Sequence, residues 1–227
     1  MKSVDLAETP LRELNAALHD KGAAQERSWQ VLNPLGQHAV ACGIDADIEV
    51  EIMGHVGYYC AGMNKRATVR VDGNAGPGVA ENMMSGAVFV SGDASQSAGA
   101  TGRGGLLVIR GNASARCGIS MKGIDIVVGG NVGHMSAFMA QGGTLVVLGD
   151  AGEALGDSIY EARLFVRGTV KSLGADCIEK PMRPEHATHL AGLLAKAGIK
   201  DVGPDSFRRC GSARKLYNFH VDNIGAY

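Results

Sequence analysis

Two columns of apolar residues run along the chain with a constant step of nineteen positions. They are Val50/Ile52, Val69/Val71, Val88/Val90, Leu107/Ile109, Ile126/Val128, Leu145/Val147 and Leu164/Val166. One position separates the two apolar residues of each pair, and most are β-branched, which is typical of strands with one buried face rather than of helices. The pattern therefore predicts seven short strands at equal spacing.

A glycine closes each of these segments at the same step. These repeat glycines are Gly54, Gly73, Gly92, Gly111, Gly130, Gly149 and Gly168. They are followed by His55, Asn74, Asp93, Asn112, Asn131, Asp150 and Thr169. Most of these following side chains are of a kind that bonds its own backbone in turns and tolerates left-handed conformations. Each repeat is therefore a short strand that leads into a corner.

The repeat length selects the architecture. At about 3.3 Å per extended residue, nineteen residues give a path of roughly 60 Å, enough for one closed turn with flat sides. Small residues stand seven places after each repeat glycine and allow close approach of the turns: Ala61, Ala80, Gly99, Gly118, Ala137, Gly156 and Ala175. The sequence predicts an all-β solenoid, a right-handed parallel β-helix of about seven rungs, its handedness following the crossover rule for parallel strands.

Two other repeat folds have comparable periods. A leucine-rich repeat needs leucines at three-residue spacing and an asparagine ladder inside the arc, and the chain has neither column. A calcium-binding β-roll needs an aspartate in each repeat, whereas only Asp93 and Asp150 occupy the comparable column here. The pattern disfavours both folds.

The repeats divide the chain into three parts: residues 1–46 as an N-terminal helix and cap, 47–180 as the β-helix, and 181–227 as a C-terminal helix and arm. Pro10 predicts a first helix start, with Gly22 beyond the end. Pro184 begins a second helix that stops at Gly198. We expect its apolar face to cover a column that becomes apolar late in the coil: Phe89, Val108, Val127, Val146 and Phe165.

Composition limits the possible partners and compartment. The net charge of −1 gives no electrostatic basis for binding nucleic acid or a membrane surface. No apolar run approaches the roughly 20 residues that span a bilayer, and the N-terminus lacks the apolar centre of a signal peptide, so a cytoplasmic chain is predicted. The five cysteines include no C-x-x-C pair and predict reduced thiols rather than disulfides or an iron–sulfur cluster.

No catalytic, cofactor-binding or metal-binding residue is predicted in this chain. His186 and His189 stand three positions apart near Glu185, as metal ligands could, but no third ligand stands at a fitting spacing, which favours surface groups. His55 and His134 fall in or near corners of the coil. There they either bond a neighbouring rung or meet a partner, and the first interpretation is favoured.

The repeats also resemble a known family. GNAGPGVAENMMSG, GNASARCGISMKG, GNVGHMSAFMAQGG and GDAGEALGDSIYEA resemble the GXGXG β-helix domain of the large subunit of glutamate synthase. The likeness covers roughly residues 47–180 and continues through SLGADCIEKPMRPEHATHLAGLLAKAGI, which looks like that domain's closing turn and helix. GHVGYYCAGMN, MSGAVFVSG, GHMSAFMAQGG and RKLYNFHVDN are most similar to the small, stand-alone GXGXG subunit of N-methylglutamate synthase.

The resemblance implies a non-catalytic structural subunit of a complex that forms N-methylglutamate from methylamine and glutamate. It would hold a glutamine-amidotransferase-like subunit and an FMN-binding synthase subunit together, in a hetero-oligomer of several such units. FMN and an iron–sulfur cluster are implied for a partner subunit, and no cofactor for this chain. Two alternatives stay open: the C-type β-helix subunit of a formylmethanofuran dehydrogenase or formyltransferase/hydrolase complex, and a solenoid enzyme that acts alone.

The tail after Ser206 mixes basic and aromatic residues. Because arginine and tyrosine are over-represented at interface hot spots, the tail is predicted to be a partner-binding arm. Its anchors would be Arg214, Tyr217, Phe219 and Tyr227. The competing hypothesis is a tail that packs Leu216 and Phe219 onto the chain's own coil.

Overall fold

The computed structural model describes residues 1–20, 22 and 26–215. Its strands are β1 (Lys2–Asp5), β2 (Ser28–Leu32), β3 (Glu49–Met53), β4 (Thr68–Val71), β5 (Ala87–Val90), β6 (Leu106–Ile109), β7 (Lys122–Val128), β8 (Gly142–Val147), β9 (Arg163–Val166), β10 (Cys177–Lys180) and β11 (Arg208–Ser212). The helices are α1 (Leu11–His19), α2 (Pro184–Lys196) and a 3₁₀ turn (Pro204–Ser206). No helix in this described part of the chain is long and apolar enough to cross a membrane.

The strands form one sheet in which β1 to β9 lie side by side in chain order. All of these neighbours are parallel, so the chain must return to the same end of the sheet after each strand. Val50 pairs with Val69, and Val69 pairs with Val88, which is the predicted nineteen-residue step. The prediction of an all-β solenoid of about seven rungs with flanking helices is confirmed.

The parallel ladder begins earlier than residue 47. Strand β2 pairs with β3, with Trp29 opposite Val50, and β1 pairs with β2, with Lys2 opposite Trp29. The predicted N-terminal cap therefore contributes two strands of the coil itself. The periodicity did not show them because these two turns are longer than the others, and the turn between β1 and β2 contains α1.

The two apolar columns form the inner wall of the coil, as predicted. All fourteen side chains are at most 2% exposed. A second inner wall is built by single bridges between successive rungs, at Val56, Ala75, Ala94, Ala113, Val132, Ala151 and Val170. The alanines and valines of this second wall pack with the two apolar columns in one core cluster, so the interior of the coil is filled by side chains.

Helix α2 covers the outer face of the sheet at its C-terminal half, as the sequence predicted. Leu190, Leu193 and Leu194 form a second apolar cluster with the column of Val108, Val127, Val146 and Phe165, while Phe89 packs at its edge. Because both faces of β6 to β9 are then covered, these strands can be apolar at consecutive positions.

The C-terminal end of the coil is closed by an antiparallel strand. Strand β11 inserts between β9 and β10 and is antiparallel to both, with Cys210 opposite Leu164 and Glu179. The predicted arm of residues 207–227 is thus wrong for its first part, because residues 208–212 belong to the sheet. The physical reason is that the last parallel strand would otherwise present an unpaired edge.

Candidate functional site

The repeat glycines form a backbone ladder along one corner of the coil. The N–H of Gly111 donates to the carbonyl of Gly92 at 3.0 Å, and the N–H of Gly130 donates to Gly111 at 2.8 Å. A Cβ on Gly111 would lie 2.9 Å from the Gly92 oxygen and closer still to Oδ1 of Asp93. Of the seven repeat glycines only Gly54 has a positive φ, 136°. Glycine is therefore required for close approach rather than for a left-handed backbone.

The residues after the glycines form a second ladder, which we call the Asx ladder. Each side chain accepts the backbone N–H of the equivalent residue one rung further on: Asn74 from Asp93 (2.9 Å), Asp93 from Asn112 (2.6 Å), Asn112 from Asn131 (2.9 Å), Asn131 from Asp150 (2.7 Å) and Asp150 from Thr169 (2.7 Å). The expectation that these side chains bond their own backbone is wrong. The stacking of rungs places the next rung's N–H within reach instead.

Left-handed conformations occur on a different wall of the coil. Tyr59, Ala61 and Met63 have φ values of 63°, 52° and 55°, and the corresponding positions of the next rungs repeat this pattern. Asn82, in this wall, donates to the Tyr59 hydroxyl at 2.9 Å and accepts from the Thr101 hydroxyl at 2.6 Å. Sequence reasoning missed this wall, since many of its left-handed residues are not glycine. The small column from Ala61 to Gly156 was the available signal.

The outer face of the sheet is left uncovered by α2 at its N-terminal half. There the guanidinium of Arg70 lies 4.3 Å from the centre of the Phe89 ring. A shallow open groove surrounds this contact, which we call the outer groove, and it is lined by residues including Glu51, Arg70, Asp72, Phe89, Ser91 and Arg110. Its phenylalanine and its two arginines are of the residue types that are enriched at protein interfaces.

The predicted histidines do not come together. His55 Nδ1 accepts the N–H of Asn74 at 2.9 Å, which extends the Asx ladder by one rung and confirms its rung-bonding role. His134 is exposed near Glu153, whose pKa is lowered mainly by its hydrogen bond to Lys171. On α2, His186 Nδ1 accepts the N–H of Arg183 at 3.3 Å, and His189 Nε2 lies 2.9 Å from the Thr144 hydroxyl.

Among the residues that the structure describes, no three His, Cys, Asp or Glu side chains are placed to share a metal ion. All five cysteines are unpaired and four of them are buried. Burial raises the pKa of Cys60 to about 12, with a further contribution from nearby Cys42, and burial raises that of Cys117 to about 12. Such thiols are protonated and packed as small apolar side chains.

Only one of the four predicted arm anchors lies in the described part of the chain. Nη2 of Arg214 lies 2.9 Å from Oε2 of Glu161, and both side chains are about half exposed. Tyr217, Phe219 and Tyr227 lie outside the described residues. Their role in binding a partner stays a prediction.

Comparison with known proteins gives one extensive likeness. The chain is 70% identical over 228 residues to Protein GlxC of Rhizobium meliloti (strain 1021), and the match covers all of both chains. No family model matches the chain. No solved structure matches it either.

Proposed function

This chain belongs to the family of Protein GlxC, and we propose that it acts as the non-catalytic structural subunit of a flavin-dependent, glutamate-synthase-like complex. The finer proposal is an N-methylglutamate synthase, which forms N-methylglutamate from methylamine and glutamate with release of ammonia. The chain would hold a glutamine-amidotransferase-like subunit and an FMN-binding synthase subunit at a fixed distance. FMN and the iron–sulfur cluster are placed by this proposal in the partner subunit.

The proposal rests mainly on one observation, which is that the residues of the repeat motif connect successive rungs of the coil. Its glycines bring successive backbones into contact, and its Asx side chains accept N–H groups of the next rung. Residues engaged in stacking are not free to act on a substrate. What they produce is a stiff rod, because each rung is hydrogen-bonded to the next along several walls.

The rod offers surfaces on which other chains can dock. In addition to the outer groove, the wall with left-handed residues exposes large apolar side chains, with Tyr58 49% exposed and Met63 48% exposed. Exposed aromatic and methionine side chains are enriched at protein interfaces. A rod with two separate binding surfaces, the outer groove and the wall with left-handed residues, can hold two different subunits at once.

Co-purification tests the proposal. A tagged full chain, expressed together with an amidotransferase-like and an FMN-synthase-like chain, is expected to elute with both in a fixed ratio. Arg70→Ala should weaken this association by at least about 1 kcal/mol, since it removes the arginine stacked on Phe89 from the outer groove.

The matched control is Arg12→Ala, which removes an exposed arginine of α1 that does not line the outer groove, and it should leave the affinity unchanged. A tagged chain that elutes alone, or that carries its own flavin and forms product unaided, would contradict the proposal.

A further inference from the structure

Several cationic side chains meet where the end of the sheet reaches the start of α2. Arg209 on β11 lies opposite Phe165 on β9, and Phe165 faces α2, so Arg209 lies on the outer face of the sheet. Lys180 on β10 is its other cross-strand neighbour. Arg163 precedes Phe165 by two positions and therefore shares this outer face.

Helix α2 adds its own groups to the same place. The bond between the Thr144 hydroxyl and His189 holds the helix over β8, and Thr144 is the cross-strand neighbour of Arg163. Arg183 immediately precedes the helix, whose N-terminal end carries a partial positive charge. We call Arg163, Arg183 and Arg209 the cation cluster.

Arg209 is incompletely bonded. Its Nε atom is buried and has no hydrogen-bond partner within residues 1–20, 22 and 26–215. Its Nη1 atom donates only a long bond, 3.4 Å, to the carbonyl of Pro181. A guanidinium N–H without an acceptor is unfavourable, so a ligand oxygen that reached Arg209 would be stabilised there.

The charges around Arg209 are mostly of one sign. Burial lowers the pKa of Arg209, and the positive charges of Arg163 and Arg183 lower it further, while Glu185 opposes them. Glu185 itself lies 3.9 Å from Arg183, in an exposed pair. Burial, and then the positive charge of Arg209, also lower the pKa of His186, which favours the uncharged form of this ring.

We propose that the cation cluster is a binding site for a phosphoryl group. Three guanidinium groups provide forked donors that match the oxygens of a phosphate, and the helix N-terminus adds favourable dipole potential. A dianion there would neutralise the mutual repulsion of the arginines and give Arg209 an acceptor.

Titration of the full chain with inorganic phosphate tests the site, with calorimetry as the readout and ionic strength held constant with chloride. The wild type should bind about one phosphate saturably. Arg163→Gln and Arg183→Gln should each lower the affinity about tenfold, the effect of losing one charge-assisted hydrogen bond. Both positions are exposed, so folding is not at risk, and Arg209→Gln, with circular dichroism as a folding check, extends the series.

The matched control is Arg103→Gln, which removes the same charge from an exposed position just before β6, three strands away from β9 in the sheet. Unchanged affinity in this variant supports the site. Absence of saturable binding in the wild type, or equal losses in Arg103→Gln and Arg163→Gln, would overturn it.

Two further ligands identify the chemistry. Glycerol phosphate should bind as phosphate does, because the phosphoryl group is the recognised part. Glutarate, a flexible dicarboxylate, should bind at least about tenfold more weakly. Tighter binding of glutarate than of phosphate would contradict the phosphoryl assignment.

Discussion

Oδ1 of Asp93 accepts the backbone N–H of Asn112 at 2.6 Å, one full rung further along the coil. The Nδ2 group of Asn112 bonds the same oxygen at 3.1 Å. A side chain that reads as a turn residue in the sequence therefore connects two rungs, and its neighbour Gly111 leaves the space that this contact needs. Stacking of rungs explains the repeat better than local turn geometry does.

Gly111→Ala should destabilise the coil by more than about 1 kcal/mol. The new methyl group would lie 2.9 Å from the Gly92 carbonyl oxygen, so that the two rungs must separate. Urea unfolding followed by circular dichroism measures the change. The control is Gly192→Ala, an exposed helix position with nothing within 4 Å, where alanine should stabilise by up to about 1 kcal/mol. Similar effects of the two substitutions would refute the close-approach argument.

Asp150 should make the fold sensitive to acid. The backbone N–H of Thr169, and then its side chain, lower the pKa of Asp150 below its ordinary value of 3.8. A carboxylate with a lowered folded-state pKa contributes stability above its unfolded pKa, and that stability is lost as the pH falls through the folded value. Below about pH 4, the melting temperature should therefore fall less steeply with pH for Asp150→Asn than for the wild type. The asparagine keeps the acceptor oxygen but carries no charge that acid can remove. If the melting temperatures of the two proteins fall equally steeply with pH, the charge of Asp150 does not contribute to its contact with Thr169.

Leu190→Ala should destabilise the protein by roughly 2–5 kcal/mol, because Leu190 is fully buried between α2 and the outer face of the sheet. Thr188→Ala, on the exposed side of the same helix, should change stability by less than about 0.5 kcal/mol. Denaturant unfolding compares the two. If Leu190→Ala is as stable as the control, α2 does not depend on this packing.

Two truncations separate the role of the tail from that of the sheet. Removal of residues 216–227 should abolish or weaken assembly with the partner chains while the melting temperature stays nearly unchanged. Truncation after Ser206 also removes β11, which pairs with β9 and β10, and should lower the melting temperature as well. Unchanged assembly after the shorter truncation would mean that Tyr217, Phe219 and Tyr227 are not interface anchors.

The sequence predicted those parts of the fold in which one residue type is required at every turn. Two of these parts are the apolar column with Val69 and the glycine column with Gly111. A third is the leucine face of α2, which covers Val127. Strands β1 and β2 were not predicted, because the turns that follow them are longer than nineteen residues. Strand β11 was not predicted either, because an antiparallel strand inserted between β9 and β10 has no counterpart in the repeat.

The candidate site was less predictable for a different reason. The outer groove depends on which strands α2 leaves uncovered, and the cation cluster joins Arg163 to Arg209, which are distant in the chain. Neither juxtaposition has a local sequence pattern. The change of one column from charged residues at Glu51 and Arg70 to apolar residues at Val108 was the only sign of a partly covered face.

Reconstitution from separately purified chains tests the structural role most directly. The amidotransferase-like and FMN-synthase-like chains are assayed for N-methylglutamate formation from methylamine and glutamate, with and without this chain. Our account predicts that this chain forms no product alone, adds no flavin or iron, and raises the rate when it joins the other two. An unchanged rate in its absence, or product formed by this chain alone, would contradict the account.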